Sequence, residues 1–256
     1  MLELKNIYKT FNPGTINEKR ALNGLNLKLN EGDFVTVIGG NGAGKSTMLN
    51  AVAGTWPVDE GQILIDNIDV TKLSEHKRAT YLGRVFQDPM TGTAATMGIE
   101  ENLALAKRRG KTRFLRSGIT KAEREEYKEL LKILNLGLED RLTSKVGLLS
   151  GGQRQALTLL MATLQKPKLL LLDEHTAALD PGAAEKVMAL TKKIVEENKI
   201  TTLMITHDME YALEYGSRTI MLDSGKIVMD LTGKEREEMT TGKLAELFYG
   251  KAHKRG

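Results

Sequence analysis

An α/β fold is predicted, with a mostly parallel sheet, an antiparallel β layer and an inserted helical block. Three features of the 256-residue chain lead there. Fully apolar runs alternate with helical periodicity, as in a parallel sheet covered on both faces. Shorter runs that alternate apolar with polar residues, and are joined by polar turns, lie outside these. Between Gln87 and Gln153 strand patterning stops and helical spacing takes over.

In chain order, Leu2–Tyr8 and Leu25–Leu29 alternate and belong to the antiparallel layer. Phe34–Ile38 (FVTVI) is the first fully apolar strand, ending at Gly39-Gly40, with helical spacing from Ser46. Ile63–Ile65 returns to the layer, and Leu82–Phe86 is a further strand. Ile99–Arg108, Lys121–Leu134 and Gly151–Leu164 read as helices. Lys168–Leu172, Thr201–Ile205 and Thr219–Leu222 are buried strands. Ile227–Asp230, after the turn Asp223-Ser-Gly-Lys226, is expected to join the antiparallel layer. One domain over 1–256 is expected. Its core plus β layer spans 1–87 and 165–235, its helical part 88–164 and a tail 236–256, with no room for an added regulatory domain.

Lys and Arg total 37 against 33 Asp and Glu, a net charge of +4 too small to imply nucleic-acid binding. No apolar run approaches the ~18 residues of a membrane span, and the opening MLELKNIYKT lacks a signal-peptide apolar region. The absence of cysteine excludes disulfides and thiolate metal sites and suits a reducing cytosol.

Gly39-Gly40-Asn41-Gly42-Ala43-Gly44-Lys45-Ser46-Thr47 matches G-x-x-x-x-G-K-[ST] between a strand and a helix. Glycines there let successive amides turn inward around phosphate oxygens, and the helix N-terminus adds positive field. Lys45 can reach β- and γ-phosphates, Ser46 can hold Mg²⁺, and Thr47 can contact the α-phosphate. This is a P-loop core. Leu169-Leu-Leu-Leu-Asp-Glu174 ends a buried strand in two carboxylates. Asp173 would hold Mg²⁺ through water, and Glu174 could polarise an attacking water.

Leu149-Ser-Gly-Gly-Gln-Arg-Gln155 lies one helix upstream of that strand. Together with the phosphate loop it makes the chain resemble the nucleotide-binding subunit of ATP-binding cassette transporters, over roughly Leu2 to Asp230. The resemblance implies a P-loop NTPase fold, with Phe11 at the place of the aromatic that stacks on adenine and Tyr8 competing for it. It makes Gln87 the glutamine that senses Mg²⁺ and water. Ser150, Gly151, Gly152 and Gln153 become the signature that meets γ-phosphate from the opposite subunit. Asp180 becomes the aspartate that crosses the dimer interface, and His207 the switch histidine. Ser150-Gly-Gly also opens a helix, and so forms a second N-terminus with amides for an anion.

The chain departs from the family pattern at His175, where proline is usual. Restoring an N–H and freeing φ predicts a looser loop to Asp180, with His175 facing outward and little affecting hydrolysis. Lys107 to Lys121 holds seven bases and no acid, so without it the net charge falls from +4 to −3. This stretch is expected near anionic headgroups or partner loops, and the coupling contact around Asp88–Gly98.

The expectation that follows is an ATP-hydrolysing subunit using ATP and Mg²⁺. Two copies would close head to tail to drive import, with an amino acid as candidate solute. Its partners would be separate permease subunits and a solute-binding protein, with no nucleic acid. It would sit in the cytoplasm, peripheral on the inner face of the membrane. An exporter subunit and a soluble non-transport cassette ATPase are the alternatives. A P-loop kinase would not need Ser150-Gly-Gly.

Overall fold

The computed structural model describes residues 1–111 and 118–252, and for 250–252 the backbone alone. The chain divides into two compact units, one made of Met1–Tyr81 with the segment from Lys199 onward, the other of Leu82–Asn198.

The first unit begins with β1 (Leu2–Phe11), β2 (Lys19–Leu29), β3 (Phe34–Gly39) and α1 (Lys45–Ala53). β4 (Glu60–Ile65), β5 (Ile68–Asp69) and α2 (Glu75–Arg78) follow. The second contains β6 (Leu82–Val85), α3 (Ile99–Lys107), α4 (Lys121–Lys132), a 3₁₀ turn at Val146–Leu148, α5 (Gly151–Thr163), β7 (Leu169–Asp173) and α6 (Pro181–Asn198). The chain then returns to the first unit with β8 (Thr202–Ile205), α7 (Met209–Glu214), β9 (Arg218–Asp223), β10 (Lys226–Thr232), α8 (Gly233–Glu237) and α9 (Thr241–Ala252).

In the first unit β3 is buried along its whole length and runs parallel to both β8 and β9. The antiparallel layer has the order β2-β1-β4-β5. The expectation that Ile227–Asp230 joins this layer is corrected: β10 pairs antiparallel with β9. The reason is local. Ser224 and Gly225 both have positive φ, and so tight a turn forces the next strand beside the one before it.

In the second unit β6 and β7 are parallel, with Val85 opposite Leu172. The expected helices pack around one apolar cluster that includes Leu103, Tyr127, Leu131, Leu157 and Leu160. Three members of the basic stretch are engaged within this unit. Lys107 pairs with Glu126, Arg108 with Glu123, and Arg109 donates to Gln165 O. A contiguous unpaired basic face is therefore not what these three form. Arg113 and Arg116 lie outside the described residues.

Burial of Arg78 supports the helix behind the phosphate loop. It is 2% exposed, and its guanidinium donates to Ala51 O (2.6 Å) and Val52 O (3.0 Å), carbonyls of the last turn of α1. It also donates to Thr71 O and Leu73 O. Gly54 ends the helix at φ 86°, and a Cβ there would stand 2.8 Å from Arg78 Nε. A positive φ and an arginine stacked on the turn together require glycine. Arg78→Met should lower unfolding stability by about 3 kcal/mol, because buried carbonyls lose a charged donor. A denaturant midpoint measured against the parent chain checks this.

Candidate functional site

The phosphate loop leaves β3 at its C-terminal end and enters α1. Gly44 stands before the helix at φ 106°, and no side chain caps the first turn, which also holds no acid. The amides there and the helix dipole therefore favour an anion. Lys45 is buried, and its ammonium donates to Gly39 O (2.6 Å) and Gly40 O (3.2 Å), so it lies across the loop. Such a cation, satisfied by carbonyl dipoles, fits a phosphate that would offer it a full negative charge. Ser46 is exposed on the first turn of α1.

β8 brings His207 to the same end of the strands. Val37 pairs with Ile205, and Thr206 N donates to Val37 O (3.1 Å), so exposed His207 follows directly. Asp208 caps α7 by accepting from Glu210 N and Tyr211 N. Phe11, at the end of β1, meets Trp56 edge-on at 5.0 Å, with Lys9 Nζ 5.6 Å from its ring centre. Tyr8, the other aromatic, sends its hydroxyl toward Gly24 of β2.

In the second unit the parallel register sets Gln87 and the acidic pair just beyond the C-terminal ends of β6 and β7. Asp173 makes an ion pair with Arg84 at 3.6 Å. Glu174 adopts φ 44°, a left-handed conformation uncommon for a residue with a side chain. Ser150 caps α5 in a reciprocal box: its hydroxyl accepts from Gln153 N (3.3 Å), and Gln153 Oε1 accepts from Ser150 N (3.1 Å). The box engages Gln153 N rather than the Gly151 and Gly152 amides. Those glycines permit close packing, since a Cβ on Gly152 would stand 2.9 Å from Ala183 Cβ. Ser150, Gly152, Gln153 and Asp180 thus border one groove of about 740 Å³, with Lys186 on its wall. Asp180 accepts from Ala183 N (3.0 Å) and caps α6.

His175 corrects the sequence reading. It faces inward and is 1% exposed, with Nε2 3.1 Å from Thr191 Oγ1 on α6. Nor is the loop to Asp180 left loose. Ala177 N donates to Glu174 O (2.9 Å) and Leu179 N to Thr176 O (3.1 Å). Shut off from water, the imidazole takes the Thr191 hydroxyl as hydrogen-bond partner of its Nε2.

The sequence reading missed three neighbours of this chemistry. Lys19 brings its ammonium within 3.0 Å of where a Gly42 Cβ would stand. Arg84 pairs with Asp173, and Trp56 packs on Phe11. Only the pair of bases opening β2 left any trace in the sequence.

Residues 22–177 match the family model described as ABC transporter. The chain belongs to the ABC transporter family. It is an ABC-type ATPase, with ATP as its nucleotide and Mg²⁺ as its metal. The cassette is 45% identical over 97% of its length to a tyrosine transport ATP-binding protein of Clostridioides difficile, 98% of which is covered. It is 35% identical to the spermidine/putrescine import ATP-binding protein PotA of Haemophilus ducreyi, spanning 63% of that relative. Among solved structures, a dimeric post-hydrolysis state of the cassette MJ0796 bound to ADP and Pi aligns with a TM-score of 0.77. The two are 35% identical, with 91% of this chain and 98% of that one covered.

Two predictions follow from this geometry. A Gly44→Ala side chain would stand 2.5 Å from Ala21 O at a φ closed to it. Strain of about 2 kcal/mol should raise the ATP dissociation constant at least ~30-fold in titration calorimetry. Burial lowers the His175 pKa to about 4 from the ordinary 6.5. The unfolded chain therefore takes up the proton first as pH falls. The stability tied to neutral His175 is complete above pH 6.5 and is lost progressively toward pH 4. Unfolding midpoints across that range should fall more steeply for the parent than for His175→Gln.

Proposed function

We propose that this cassette powers import through separate permease subunits, two copies closing head to tail around two Mg·ATP, with an aromatic amino acid as solute. One observation carries the reading. The two helix N-termini that follow the glycine-rich motifs, the Gly44 end of α1 and the Ser150 end of α5, both lack an acid in the first turn. Each favours an anion. Two copies in opposite orientation would bring one of each to the same triphosphate. The name of the 45% identical relative supports tyrosine or a similar solute, and the other relatives named for import support the direction.

The roles then fall to named side chains. Phe11 stacks on adenine, Gly39–Thr47 and Lys45 hold the phosphates, and Ser150, Gly151, Gly152 and Gln153 cap the γ-phosphate of the other copy. Asp180 reaches across the dimer, and His207 holds γ-phosphate. Ser46 and Asp173, with Gln87, would hold Mg²⁺, which supplies charge neutralisation on the phosphate oxygens. Among the described residues no cluster of three or more His, Asp or Glu is placed to hold a metal. That suits an ion sharing its coordination with phosphates and water. Glu174 accepts a proton from the attacking water and becomes neutral, while the water oxygen bonds to the γ-phosphorus and the bond to the ADP oxygen breaks, ADP leaving with the electron pair. The chain works as one ATPase domain. Among the described residues no helix is long and apolar enough to cross a membrane. It is held at the inner membrane face by the permease, with the coupling contact around Asp88–Gly98, and meets the solute-binding protein only through that permease.

Glu174→Gln should slow hydrolysis by about 10²-fold or more while leaving ATP affinity intact. With ATP and Mg²⁺ it should elute as a dimer on gel filtration. A monomeric elution, with normal hydrolysis by the parent, would defeat both the dimer and the role given to Glu174.

A further inference from the structure

We propose that His175 is a positioning residue for Glu174, tethering the chain just past that carboxylate to α6 through a hydrogen bond to Thr191. This rests on the reading of Glu174 as the group that polarises water.

The donor in the tether is settled by counting hydrogens. The Thr191 hydroxyl donates its single hydrogen to Val187 O at 2.8 Å, one turn back along α6. At the 3.1 Å contact with His175 Nε2 its oxygen can therefore only accept. Nε2 carries the proton, which fixes the imidazole as the Nε2–H tautomer. Both partners are buried, His175 at 1% exposure and Thr191 at 0%, so no water competes for the bond.

The tether matters because of what it flanks. Before Glu174 the chain is held by the buried residues Leu169–Leu172 of β7. Glu174 itself has φ 44°, a conformation that persists only where its surroundings over-determine it. Past it, Ala177 N holds Glu174 O across the turn, and His175 is the first side chain anchored in the interior. With that anchor released, the turn loses its tie to α6, and the Glu174 carboxylate shifts with the backbone. A proline at 175 would fix its own φ but could not reach Thr191. This chain thus exchanges a stiff ring for a hydrogen bond to a helix.

Thr191→Val keeps the shape and removes the acceptor, whereas Thr191→Ser keeps the hydroxyl. In full-chain ATPase assays Thr191→Val should lower kcat about tenfold with KM for ATP unchanged, and Thr191→Ser should restore the parent rate. The ¹⁵N NMR signature of His175 should be that of the Nε2–H tautomer in the parent and in Thr191→Ser. Parent-like kcat in Thr191→Val, an equal loss in both variants, or an Nδ1–H signature overturns the tether. Glu174→Gln in the same assay keeps the two readings apart. If it hydrolyses ATP at the parent rate, the role of Glu174 fails. If it is inactive while Thr191→Val is parent-like, only the tether fails.

Discussion

A helix whose first turn no side chain caps, placed at the end of a buried strand, is the constraint on which the first unit depends. β3 is apolar and enclosed, so its C-terminal end fixes where the chain must turn. Gly44 then offers the helix no oxygen, and the amides keep their appetite for an anion. Everything nearby either holds this arrangement or adds to its field. Lys45 folds back over the loop carbonyls, and Lys19 approaches from β2.

Two arginines, Arg78 buried and Arg236 partly buried, serve the opposite ends of the helices in this unit. Arg78 donates to the closing carbonyls of α1, and Arg236 to Leu213 O and Tyr215 O at the end of α7. Burial lowers the basicity of both, and both meet backbone oxygens at a helix C-terminus, where positive charge is favoured. Thr36 and Thr219 join the second cluster through Ala212 O. The helices after the phosphate loop and after His207 are thus fastened at the ends away from the chemistry.

The second unit solves a related problem by different means. Here the N-terminus of α5 is capped by Ser150 and Gln153, which satisfies one amide and spares those of the two glycines. The same glycines let α5 approach the start of α6, so Ser150 and Asp180 come to border one groove. Strain is concentrated at Glu174, between an apolar strand and an inward histidine.

Gly39–Thr47, Ser150–Gln153 and the Asp173–Glu174 pair were legible from the chain alone. Binding phosphate through backbone amides demands particular residue types at fixed spacing, and a buried strand ending in carboxylates announces itself by composition. The strands and helices around them were legible for the same reason, since periodicity is a local property. Partners distant in sequence were not. His175 meets a hydroxyl 16 residues away, Arg84 pairs with Asp173, and β10 takes its place beside β9 because of the backbone sign at Ser224 and Gly225. The sequence alone determined which chemistry this protein carries, because that is written in short contiguous motifs. Only the tertiary structure decided which way His175 faces and what holds Glu174, because burial and hydrogen-bond partners are settled when separate segments pack together.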